Sequence, residues 1–81
     1  MLFQKGMVAG PSVTVVGGPW TRILISNLDT QQSFDYQING NTALTLFPLS
    51  NYGDNYPDEP ITRVDLVNTG GNPAYQLTLH A

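Results

Sequence analysis

Apolar and polar residues alternate with period two along most of this chain, which is the pattern of half-buried β-strands. Val13-Thr14-Val15-Val16 is β-branched and ends at Gly17-Gly18-Pro19. Arg22-Ile23-Leu24-Ile25-Ser26 follows and stops at Asn27. Ser33 to Ile38 and Thr42 to Phe47 alternate polar and apolar with period two, and Thr62 to Val67 and Ala74 to Leu79 follow as further half-buried strands. Residues 2–5 add an edge strand or an arm. Apolar residues nowhere recur at helical spacing over a useful length. The pattern predicts an all-β fold of six to seven short strands, packed as a small antiparallel β-sandwich or jelly-roll-like domain. A small closed β-barrel is the alternative. The chain divides into an N-terminal arm or edge strand over residues 1–11 and a sandwich domain over residues 12–81.

Face parity sharpens two of the joints. A two-residue turn at Asn39-Gly40 would put Leu44 and Leu46 on the face of Asp35 and Gln37, because a one-residue slip inverts every side chain. A three-residue loop, Ile38-Asn39-Gly40 with Gly40 left-handed, repairs this and sets Phe34 opposite Leu44. A four-residue loop, Thr69-Gly70-Gly71-Asn72, would set Leu66 opposite Tyr75 and Val64 opposite Leu77. The chain also echoes itself. Pro19-Trp20-Thr21-Arg22-Ile23-Leu24-Ile25-Ser26-Asn27 parallels Pro60-Ile61-Thr62-Arg63-Val64-Asp65-Leu66-Val67-Asn68, and each leads through a turn to Tyr-Gln-apolar, at Tyr36 and at Tyr75. This echo predicts a pseudo-symmetric sandwich.

Size and composition narrow the functions. With 81 residues and no cysteine, the chain makes one domain with no disulfide and no thiolate metal site. A domain of this size buries only about 60–65 % of the surface its unfolded chain exposes, so burial against copies of itself or a partner is expected. The three basic residues, Lys5, Arg22 and Arg63, and a net charge of −3 offer no basic stripe for nucleic acid. No apolar run approaches the length of a membrane span. Met1 to Gly6 lacks the order of a signal peptide, and the missing cysteine fits a cytosolic origin.

Candidate chemistry is sparse. The stretch from Pro48 to Pro60 reads as a long loop, and such loops tend to be functional. Asp54, Asn55, Asp58 and Glu59 are oxygen donors suited to calcium, but their order does not match an EF-hand. The prediction therefore names no metal. Tyr52 and Tyr56, with Trp20, have the makings of an aromatic platform for a sugar ring or of anchors for another protein. The echo places Trp20 where Ile61 stands, a position suited to packing at the rim of the core. Arg22 and Arg63 start equivalent strands and are candidates to clamp carboxylates such as Asp35 or Asp65, or to reach across a subunit boundary. His80 alone builds no zinc site. No nucleophile stands beside a base, and no Gly-rich phosphate motif occurs. The prediction is of no enzyme, no catalytic residue and no cofactor.

The run of Val13-Thr14-Val15, Ile23 to Leu28, Tyr36 to Gly40, Val64 to Gly71 and Tyr75 to Leu79 resembles the small β-sandwich structural proteins of tailed bacteriophages, namely head decoration or cement proteins and minor virion components. The resemblance covers the chain from about Ser12 to the end. It implies a virion protein, made in the host cytoplasm, that forms homo-oligomers and binds a major capsid or other virion protein. It carries over no ligand or catalytic residue. Leu2, Phe3, Trp20, Tyr52, Asp54 and Tyr56 are the expected partner contacts, with residues 2–8 free to dock on a neighbour by strand addition. The alternative is a carbohydrate- or receptor-binding module on a tail or fibre.

Overall fold

The computed structural model describes residues 1–81 as eight strands. In chain order these are β1 (Leu2–Met7), β2 (Ser12–Trp20), β3 (Arg22–Asn27), β4 (Phe34–Ile38), β5 (Leu44–Leu46), β6 (Asn51–Asn55), β7 (Ile61–Asn68) and β8 (Ala74–His80). They form two antiparallel four-stranded sheets, ordered β1-β8-β3-β6 and β2-β7-β4-β5. That connectivity is the eight-stranded jelly roll. The sheets close on one core, with Ile23, Ile25, Tyr75, Leu77 and Leu79 from the first facing Val15, Phe34, Tyr36, Ile38, Leu46, Val64 and Leu66 from the second.

The internal echo has a structural basis. Advancing every strand by four places turns β1-β8-β3-β6 into β5-β4-β7-β2, which is the second sheet read from its other edge. Arg22, Leu24 and Asn27 on β3 thus correspond to Arg63, Asp65 and Asn68 on β7. The tyrosine echo is two residues out of register. Asn27 pairs with Tyr75 and Asn68 with Phe34, so the counterpart of Tyr75 is Phe34, not Tyr36.

The same asparagine closes both halves. Asn27 Oδ1 accepts the Asp29 N–H at 2.9 Å, and Asn68 Oδ1 accepts the Gly70 N–H at 2.9 Å. Each is an Asx turn that ends a central strand and sends the chain across to the other sheet. The Asn27 amide also donates to Gln32 O and Leu46 O, and the Asn68 amide to Gly10 O.

Several expectations are corrected. There are eight strands, because Asn51–Asn55 pairs with β3 inside what reads as one long loop. Its side chains are mostly polar, so it carries no alternation to detect. Of the two readings of the N-terminal segment, arm or edge strand, the structure has the edge strand, paired with β8 over residues 2–7. β7 and β8 lie in different sheets, so Leu66 pairs with Val13 and Tyr36, and Leu77 with Gln4 and Ile25. The β4–β5 joint has the expected parity but another register. Phe34 pairs with Leu46 and Tyr36 with Leu44. Asn39 (φ 54°) and Gly40 (φ 71°) form the tight turn, closed by Asn41 N–H to Ile38 O at 3.0 Å, as in a type I′ hairpin. Asn41 to Ala43 then leave the ladder before β5 begins. The Asn39 side chain explains the offset: it accepts the Thr62 and Arg63 N–H groups and donates to Pro60 O, tying the turn to β7.

Candidate functional surfaces

The expected contact residues fall into different environments. Trp20 is only 8 % exposed and presents no face to a partner. Its ring covers Gly17 and Gly18, where an added Cβ would stand 3.1 and 2.9 Å from indole carbons. These glycines form a bulge in β2 that turns the indole into the core. Leu2 also points inward and packs on the core. Phe3 is exposed, on the outer face of its sheet.

Tyr52 and Tyr56 are half-buried against the core and form no open platform. The Tyr52 ring lies 4.7 Å from that of Tyr36, and its hydroxyl is hydrogen-bonded to that of Tyr56. Burial, and then the bond to Tyr56, push the Tyr52 hydroxyl well above its ordinary pKa. Asp54 is exposed, but its carboxylate accepts the Asn55 N–H at 2.8 Å and the Tyr52 hydroxyl at 3.4 Å. The loop acids do not converge, and no three of the His, Asp and Glu side chains group where a metal could be held.

Sequence reasoning missed two surfaces. The first is one end of the sandwich, where residues 8–11, 28–33, 47–50 and 69–73 join strands. Phe47-Pro48-Leu49-Ser50 is a tight turn, with Ser50 N–H bonded to Phe47 O at 3.1 Å and Leu49 at φ 58°. Proline second and a left-handed residue third is the arrangement of a type II turn, whose third position favours glycine. Here a leucine fills it and stands 65 % exposed, with Phe47 at 63 %. Leu49 N–H donates to Asp29 O and Asn27 N–H to Ser50 O. These bonds hold the turn beside the β3–β4 connection, where Leu28 is also exposed. The only sequence signal was the apolar-Pro-apolar run after a strand, which reads equally well as the strand's end.

The second is a shallow depression of about 370 Å³ on the outer face of the β1-β8-β3-β6 sheet. Its floor is Gly53, directly across from Leu24, and the next rung holds His80, Arg22 and Asn55. Arg22 makes no ion pair. Arg63, its counterpart, binds Asp65 at both carboxylate oxygens, at 2.8 and 3.2 Å. Searches of family models, curated proteins and solved structures match nothing to this chain.

Proposed function

We propose that this protein is a non-enzymatic structural component of a virus particle, a decoration or minor head protein that self-associates and grips a lattice of other virion subunits. The observation that carries this reading is the apolar end of the jelly roll. A glycine would suit the turn at Leu49, yet the position carries a large side chain in a conformation that costs an L-residue roughly 1–2 kcal/mol, held out to solvent beside Phe47. Backbone strain kept alongside exposed apolar surface is the mark of a contact made elsewhere. The small core and the uncharged polar surface agree with a module stabilised by its neighbours, and repetition over a lattice turns modest contacts into firm attachment.

The test pairs light scattering of the purified chain with electron microscopy of the native particle. The wild type should be oligomeric and visible on the particle surface. Phe47→Ser with Leu49→Gly should keep the β-type circular dichroism spectrum, lose self-association and leave the particle. A wild-type monomer that never decorates a particle would refute the reading.

A further inference from the structure

We propose that the depression in front of Arg22 is a binding site for the carboxylate of an acidic sugar, a uronic or sialic acid. The inference is independent of the assembly role, because it concerns the outer face of a sheet and not the apolar end.

The molecule supplies its own template for the ligand. In the β7 half, Arg63 is closed by a carboxylate two residues on, that of Asp65, which also accepts the Thr14 hydroxyl from the neighbouring strand at 2.6 Å. In the β3 half the arginine is kept as Arg22, but both partners are gone. Leu24 stands where Asp65 would be, and Gly53 where Thr14 would be: Asp65 pairs with Thr14 as Leu24 pairs with Gly53. With a leucine in place of the carboxylate and a glycine in place of the hydroxyl, the guanidinium is left without an internal acceptor. The depression lies there.

The rest of the lining suits a sugar. Arg22 offers a planar fork that matches a carboxylate bidentately. Asn55 and His80 flank it on the same rung and can reach hydroxyl groups. Leu24, whose Cδ1 lies over Gly53, gives an apolar floor for the C–H face of a ring. Asp54 also lines the depression, but its side chain turns toward the face of Tyr52, whose hydroxyl it accepts, and its carboxylate also accepts the Asn55 N–H, which weakens its opposition to an anion. The volume lies at the small end of ligand sites, fitting one monosaccharide.

The test is a ¹H–¹⁵N NMR titration of the purified protein with D-galacturonate and N-acetylneuraminate, against D-galactose and acetate as controls. The acidic sugars should produce saturable shifts at Arg22, Gly53, Asn55 and His80, with acetate weaker and galactose silent. Arg22→Gln should weaken binding about tenfold or more. Leu24→Asp, which restores the internal carboxylate, should abolish binding while the guanidinium remains, and a retained amide spectrum separates this from unfolding. Equal response to galactose, no saturable shift at the site, or undiminished binding by Leu24→Asp would overturn the proposal. So would self-association, in place of sugar binding, that is lost in Arg22→Gln and in Asp58→Asn with Glu59→Gln, because the carboxylate would then come from a second copy.

Discussion

Asp65 sits 6 % exposed on the outer face of its sheet, a costly place for a carboxylate without partners. The Arg63 hydrogen bonds hold its carboxyl below the ordinary value of 3.8 against the opposing effect of burial, and Thr14 adds to the same side. The folded state therefore takes up the proton less readily than the unfolded chain. The contribution of this pair is complete above the ordinary value and is lost as pH falls through the depressed one. Asp65→Asn should cost about 1 kcal/mol at neutral pH and remove this part of the acid sensitivity. Thermal melts across pH 2 to about pH 6 should then converge at the acid end. Parallel curves for wild type and variant would mean that Arg63 contributes nothing through its charge. The expectation that an arginine at a strand start would clamp a carboxylate is met at Arg63 with Asp65 and not met at Arg22. What the sequence concealed is that the two arginines differ because of the residue two places on, Asp65 against Leu24.

The elements differ in how plainly the chain announces them. β3, β4, β7 and β8 pair on both sides in their sheets; β3, β4 and β8 alternate in burial along their length, and β7 departs from this where Asp65 is covered on the outer face. β6 buries one half-covered tyrosine and stays hidden. Connections are harder still, since Asn, Gly and Pro serve a hairpin and a crossing between sheets equally well. At the ends of β3 and β7 the decisive groups are Asn27 and Asn68, whose turns commit the chain to cross. They are not equal in cost. Asn27 is 2 % exposed, and its loss would strand the carbonyls of Gln32 and Leu46 and the Asp29 N–H. Asn68 is half-buried, so water can replace its bonds. Asn27→Ala should lower the urea-unfolding free energy by about 2–3 kcal/mol, against about 1 kcal/mol for Asn68→Ala. Equal losses would show that the turn and not the burial sets the cost.

At the scale of the whole molecule, a jelly roll of this kind leaves four strand edges open, and an open edge invites pairing with another chain. β1 is one of them. Val8 N–H bonds to Pro73 O, so alternation along the ladder directs the N–H and C=O groups of Leu2, Gln4 and Gly6 toward β8 and those of Phe3, Lys5 and Met7 outward. Those three side chains lie on the exposed face, two of them apolar. An antiparallel pairing of two β1 edges would set Phe3 against Met7 of a second copy, a favourable contact, but would also set Lys5 against Lys5. Like charges directly opposite destabilise a ladder, so Lys5 opposes self-pairing of this edge. Lys5→Val removes that restraint and should add a two-fold β1–β1 contact, which closes on itself and doubles the mass seen by light scattering at unchanged thermal stability. Lys5→Glu keeps a like charge at the centre and should remain as soluble as the wild type. Combining Lys5→Val with Phe47→Ser and Leu49→Gly separates the two surfaces, because closed dimers joined through β1 should persist when the apolar end is gone. If Lys5→Val behaves as the wild type in light scattering, the edge is protected by something other than its charge.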